Sequence, residues 1–287
     1  MGPMSTYKLS DCRHGRFLYN GNDEYIDRSL EVYGEWSEAE VRLFAQILRP
    51  GDVVVEAGSN IGTHTVPLSR MVGEAGCVHA FEAARTTHHL LCANLALNEC
   101  FNVQAHGKAI GAARGQVHFP VLDPRSRNNF GGVSPALLQR LKDLPSEPVE
   151  AVAVDDLGLD RLALVKSDIE GGEPELLRGA AGTIGRLRPV LYLEINGNRD
   201  ELVGLVEQFG YHAYYYLTPM FLPGNVRGFE EDVFHAFSAD LLCMPAENQA
   251  IEGLTRARVG DDAFRVEQDP HRMVYSVMPW NNARPRT

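Results

Sequence analysis

The chain has 287 residues, 44% of them hydrophobic and 23% charged, with a formal net charge of -11 and a pI near 5.4. No apolar run approaches the roughly 20 residues that span a bilayer and no signal-peptide core is visible, while the negative balance opposes nucleic acid, whose nonspecific binding is mostly phosphate neutralisation by Lys and Arg. Five cysteines, Cys12, Cys77, Cys92, Cys100 and Cys243, contain no C-x-x-C pair and are odd in number, which argues against zinc and disulfide frameworks and for a reducing, cytoplasmic setting.

Residues 4–36 are polar with scattered aromatics and read as a strand or two and a loop, with Tyr33 to Trp36 expected to pack rather than to cover a ligand. Ser37 and Glu40 have capping-box spacing. The apolar positions Val41, Leu43, Phe44, Ile47 and Leu48 then predict an amphipathic helix that stops at Arg49-Pro50-Gly51.

Gly51 to Gly62 is the stretch around which the rest is expected to organise. Val53, Val54 and Val55 predict a buried strand, and Ala57 to Asn60 a tight turn. Gly58 and Gly62 free the backbone to bend and let a ligand come close. A loop of this kind, at the carboxyl end of a central parallel strand, is where open α/β sheets bind nucleotide-like molecules. Dinucleotide loops run G-x-G-x-x-G, whereas here Glu56 leads into a G-x-x-x-G spacing. A carboxylate repels phosphate and suits an ammonium group, which S-adenosylmethionine carries, and Glu56-Ala-Gly-Ser-Asn-Ile-Gly62 resembles the first motif of class I methyltransferases. Glu56, Gly58, Ser59, Asn60 and Gly62 are therefore the expected cofactor loop.

Pro67 is tolerated only in a first helical turn, so the next helix is expected to start near His64 or Thr65, with His64 outside the chemistry. Cys77 to Phe81 predicts the second strand. It ends at Glu82, about 20 residues beyond the glycine loop, where a carboxylate accepts ribose hydroxyls. Thr86 to Leu97 reads as a helix, Asn102 to Ala105 as a strand and Lys108 to Gly111 as a turn near the adenine. Gln116 to Phe119 is an extra strand, and Pro120 to Pro148 a long excursion read as a substrate loop with disorder as its rival. Ala151 to Val154 is a short strand before the turn at Asp155-Asp156.

The densest chemistry lies between Leu162 and Gly172. A buried strand ends in Asp168 and Glu170, and a following strand, Pro189 to Leu193, ends at Glu194-Ile-Asn196. Like charges clustered at a strand edge repel, so fold stability does not account for Asp168 and Glu194. Lys166-Ser-Asp168-Ile-Glu170-Gly-Gly-Glu173, Leu176-Leu-Arg-Gly-Ala180 and Arg188-Pro to Glu194 resemble the K-x-D-x-E-G-x-E, L-x-G-A and R-P-x-x-x-x-E pattern of FkbM methyltransferases. With the glycine loop and Phe81-Glu82, the resemblance covers about residues 35–245. Departures are mild: Glu56 and Ser59 stand where Asp and Ala are common, and Ser167 where an apolar residue is usual. Glu201 to Phe209 reads as a helix, Tyr211 to Leu217 and Phe234 to Leu242 as the last strands, and Pro219 to Asp232 as a loop at the crevice mouth suited to substrate contact.

The resemblance implies an α/β Rossmann-like class I methyltransferase fold, a mostly parallel seven-stranded sheet with an antiparallel edge hairpin. Residues 51–245 are expected to form the S-adenosylmethionine-binding domain, 1–50 an N-terminal extension with a lead-in helix, and 246–287 a C-terminal extension that wraps the domain or meets a second subunit as a homo-oligomer. The implied activity is O-methylation of a sugar, glycan or small natural product hydroxyl. Asp168, Glu170 and Glu194 are the candidate catalytic residues, and Asp168, Glu194 and Asn196 the candidate ligands of Mg²⁺ or another divalent cation, a hard oxygen-rich set. The rivals are an NAD-dependent oxidoreductase, disfavoured by the broken glycine pattern, and a non-catalytic nucleoside-binding protein of the same fold.

Overall fold

The computed structural model describes residues 6–134, 137, 143–248 and 253–261. An N-terminal hairpin of β1 (Tyr7–Cys12) and β2 (Gly15–Asn20) precedes a short helix, Ile26–Val32. That helix, too short to show a period in the sequence, is started by Asp23, whose Oδ1 accepts the N–H groups of Tyr25 (2.9 Å) and Asp27 (3.3 Å). The lead-in helix is Glu38–Ile47. Its expected capping box is not formed. The Ser37 hydroxyl donates to the Glu40 carboxylate at 2.7 Å instead of accepting an N–H, and Ser37 itself sits in the left-handed region at φ 41°.

The main sheet has seven strands in the order β11-β12-β10-β9-β3-β4-β5. These are β3 (Val53–Ala57), β4 (Cys77–Phe81), β5 (Val103–His106), β9 (Leu164–Ser167), β10 (Val190–Glu194), β11 (Tyr211–Pro219) and β12 (Phe237–Pro245). The five from β5 to β10 run parallel. β12 runs antiparallel to both neighbours, so the final hairpin folds back into the sheet with its second strand inside its first. β3 is buried at every position, as a central parallel strand covered on both faces must be. Phe44, Leu68 and Leu91 from the helices Glu38–Ile47, Thr65–Val72 and Arg85–Leu97 pack one face. Leu176, Ile184 and Val203 from Glu173–Gly179, Ala181–Leu187 and Arg199–Gln208 pack the other.

A second sheet, ordered β6-β8-β7, lies beside the β5 end and comprises β6 (Ala109–Ile110), β7 (Gly115–Pro120) and β8 (Ser146–Val152). It corrects two expectations. Ala109 and Ile110 form a strand rather than a turn because Ala151 and Val152 pair with them. β8 starts five residues earlier than alternation suggested because β7 supplies a partner back to Ser146. Partners decided these strands, and partners are not local. At the opposite edge, Tyr215 N–H donates to Thr255 O and Ala257 N–H to Ala213 O, both at 2.9 Å. Residues 255–257 thus cover the free side of β11, which would otherwise offer a row of unpaired groups. Residues 249–252 and 262–287, where the second-subunit expectation mostly falls, lie outside the described residues, as do 1–5, 135, 136 and 138–142. No helix among the described residues is long and apolar enough to cross a membrane.

Candidate active site

The strand order reverses at β3, with β4 on one side and β9 on the other. At the carboxyl ends of these strands, where α/β sheets bind ligands, lies a cavity of about 620 Å³, within the usual range for a small-molecule site.

The β4 end of the cavity is built from one short window. Gly58 and Ser59 N–H groups donate to Phe81 O, Asn60 N–H donates to Glu82 Oε2 (2.9 Å), and Ala84 N–H donates to Glu82 Oε1 (2.8 Å). Glu82 is 8% exposed. Burial raises its pKa to about 7, against the pull of those two N–H groups. Each oxygen keeps a second lone pair, enough for two vicinal hydroxyls. Phe81, Ala83, Ala84, Val117 and Phe119 make the neighbouring wall apolar, and Lys108 to Gly111, expected near an adenine, lies on it.

Two cofactor-loop residues, Glu56 and Gly62, lie off the cavity wall. Glu56 is fully buried and is absent from the cavity wall. Its Oε2 accepts the Thr65 hydroxyl at 2.6 Å, and its strand partner is Lys166. Gly58, at φ 78°, is glycine because a Cβ would lie 1.8 Å from the Asp168 carbonyl oxygen, just past the end of β9. Gly62, at φ 93°, faces Leu91 and is likewise off the wall. Gly58, Ser59, Asn60 and Glu82 do line the cavity.

The β9–β10 end gathers carboxyls from separate segments. Asp168, Glu170 and Glu194 line it, with Glu40 arriving from the lead-in helix. Lys166 is 1% exposed, and its Nζ donates to Asp168 Oδ2 at 3.1 Å. Burial would lower the Lys166 ammonium, but Asp168, Glu56 and Glu40 hold it above its ordinary value. Asp168 stays below the usual carboxylate range because Lys166 outweighs burial. Its neighbours move the other way: burial, with Asp168 and Glu170 alongside, pushes Glu194 far upward, and burial with Asp168 pushes Glu170 to about 7. One ionised carboxylate among protonated neighbours is the expected outcome when like charges share a site.

The turn after β9 explains the glycines of the motif. Glu170 and Gly171 are left-handed at φ 55° and 98°, and the Glu173 carboxylate, itself fully buried, accepts the N–H groups of Ile169 (2.9 Å) and Gly171 (3.0 Å). Asn196 also departs from its expected role. Its Nδ2 donates to Glu194 Oε2 (2.6 Å) and Glu170 Oε2 (3.2 Å), so it presents N–H groups, not a ligand oxygen. The carboxyls that could surround a cation are Asp168, Glu170 and Glu194, with oxygens within 4.8 Å of one another. Glu170 joins Asp168 and Glu194 in that set, although one Asp168 oxygen already meets Lys166.

Sequence reasoning missed Glu40, His64 and Lys166 as site residues. His64 is 5% exposed and lines the cavity, with Nε2 3.4 Å from Glu40 Oε2. Burial and then Lys166 lower its pKa to about 3, keeping it neutral. The one available signal was Lys166 itself, a charge inside an otherwise apolar strand. Trp36, Tyr25 and Met220 complete the wall. Tyr33 instead packs against Phe221, Phe229 and Phe234, as expected. The excursion after Pro120 reaches the site: Asn129 to Val133 line it, and Phe130 N–H donates to Asp23 Oδ2 at 2.9 Å.

A Rossmann-like sheet of this order, with a buried carboxylate after its second core strand, is the class I methyltransferase architecture. The sequence profile of the FkbM methyltransferase domain matches residues 56–222, and the chain belongs to that family. Methyltransferase sdnD of Sordaria araneosa is 28% identical over 190 residues, 55% of this chain and 73% of that protein. Among solved structures, methyltransferase FkbM from Methylobacillus flagellatus is 16% identical with a TM-score of 0.43, covering 70% of this chain and 50% of that one, so the chain matches half of its length. TYW2 of M. jannaschii in complex with AdoMet is 14% identical with a TM-score of 0.42, covering 85% and 87%.

Proposed function

We propose that the chain is an S-adenosylmethionine-dependent O-methyltransferase acting on a hydroxyl of a sugar, glycan or small natural product. The observation that carries this reading is the division of a single cavity. Its Glu82 end suits an adenosine, and its other end is lined by the Asp168, Glu170 and Glu194 carboxyls, which supports an acceptor hydroxyl there.

Glu82 would accept the ribose hydroxyls, and the apolar wall around Phe81 and Val117 would take the base. Bound there, the sulfonium supplies an electrophilic methyl group. Asp168 accepts a hydrogen bond from the acceptor hydroxyl, holds its oxygen in line, and takes its proton as that oxygen gains a bond. Glu194, its carboxyl pushed far upward by burial, can donate to a neighbouring acceptor oxygen. The net charge of -11 and the carboxyl lining disfavour phosphate-bearing acceptors, nucleic acid included. All five cysteines are free, which supports a reducing, cytoplasmic setting.

A second reading rests on the three clustered carboxyls: a divalent cation held by Asp168, Glu170 and Glu194 would lower the pKa of a bound hydroxyl. Chelation with EDTA followed by Mg²⁺ restores activity only under that reading. The proposal itself is tested by presenting labelled methyl donor with a panel of monosaccharides and hydroxylated small molecules. In parallel, S-adenosylhomocysteine at about 100 times its Kd should add about 2.7 kcal/mol of stability, a shift of several degrees. An equal shift with NAD would overturn the cofactor assignment.

A further inference from the structure

Lys166 stands where a lysine is costly. β9 is buried at all four positions, and Lys166 is flanked in register by Glu56 on β3 and Tyr192 on β10. Two residues further on, pointing to the same face of the sheet, comes Asp168. A buried ammonium needs a partner, and its in-register neighbour on β3 is the fully buried Glu56. A role confined to the fold would direct Nζ there. Instead, Glu56 bonds the Thr65 hydroxyl through Oε2 and has no hydrogen-bond partner at Oε1, while Nζ reaches past it to Asp168, at 3.1 Å. The other lysine on the cavity wall, Lys108, pairs with Glu150 (2.9 Å) and belongs to the opposite end.

We propose that Lys166 is a positioning residue for acceptor activation: from beneath the cavity, its ammonium holds the Asp168 carboxylate in one orientation. Asp168 is half-exposed to the cavity and follows the last residue of its strand, so the strand ladder does not fix its side chain. Lys166, locked between two strands, does. This inference rests on the reading of Asp168 as the residue that meets the acceptor.

The test is the double variant K166M/E56Q, which removes the buried cation together with the buried carboxyl beside it in register and leaves Asp168 only its exposure to the cavity. Expected are S-adenosylhomocysteine affinity within about twofold of the wild type and, in the crystal with that ligand, an Asp168 carboxylate turned away from its present position. Labelled-methyl transfer to the monosaccharide that the wild type accepts should fall about 100-fold in kcat with KM little changed, the scale of loss for a misplaced reacting group. Wild-type turnover, or an unmoved Asp168, overturns the proposal. If the wild type methylates no monosaccharide, the O-methyl reading loses its support while the Asp168 position still decides this one. If the double variant does not fold, Asp168→Ala decides: loss of the Lys166 partner should lower the Tm by several degrees, and an unchanged Tm overturns the proposal.

Discussion

At the β4 end of the cavity, a carboxylate is held by main-chain N–H groups: Glu82 by Asn60 and Ala84. At the β9–β10 end, carboxyls are held by side chains: Asp168 by Lys166, Glu170 and Glu194 by Asn196, Glu40 by Ser37. The first arrangement survives substitution of almost any nearby side chain, because the backbone does the holding. The second is a network in which each group sets the charge of the next. Binding should therefore fail at single positions, and chemistry should fail through couplings.

The largest expected effect is at Asp168. Asp168→Asn keeps the shape and a hydrogen-bonding oxygen for Lys166 but cannot take a proton, so turnover should drop by about 10²–10⁴-fold, the usual contribution of a general base. S-adenosylhomocysteine affinity, measured by calorimetry, should stay unchanged because Glu82 is untouched. A parallel loss of affinity would mean that the two ends are one site and would remove the distinction. Next in size is Glu82→Ala. Loss of charge-assisted hydrogen bonds worth about 1.5–3 kcal/mol should weaken S-adenosylhomocysteine binding roughly 10- to 100-fold, and calorimetry with unchanged affinity would take Glu82 out of the site.

The same contrast governs what was legible in the sequence. The seven-strand sheet could be read because its strands are apolar runs ending at glycines and acids, and Glu82 because its spacing from the loop is a property of one stretch of chain. Asp168, Glu170 and Glu194 were legible as acids at strand ends, but not what holds them. Glu40 sits on a helix whose apolar face dominated its reading, and only folding brings its carboxyl near Lys166 and His64. Motif residues also divide in ways that spacing does not reveal. Arg188 of the R-P segment bonds Phe209 O and Gly210 O and lies over the Tyr211 ring, fastening the turn before β11. Glu56 was misread because a carboxylate at the carboxyl end of a strand was assumed to face the crevice, while side-chain alternation sends it toward Thr65.

The smallest expected effect separates the two ends by their protons. Burial pushes Glu40 and Glu82 each from the ordinary 4.5 to about 7. A carboxyl with a raised folded pKa binds its proton more tightly folded than unfolded, so its contribution to stability is complete below pH 4.5 and is lost as pH rises towards 7. The ligand-free protein should therefore melt lower at pH 8 than at pH 5.5. Glu40→Gln, neutral at every pH, should remove part of that slope, on the order of 1 kcal/mol, or about 2–4 °C for a domain of this size. S-adenosylhomocysteine should treat the two groups differently. Ribose hydroxyls donating to Glu82 favour its charged form and lower its pKa, so binding near pH 6.5 should release a proton and tighten as pH rises. Glu40, at the other end, keeps its share of the slope with the ligand bound. Calorimetry in buffers of different ionisation enthalpy counts the proton. No release from the wild type, or the same release from Glu82→Gln, would place the titrating group elsewhere and join the two ends electrostatically.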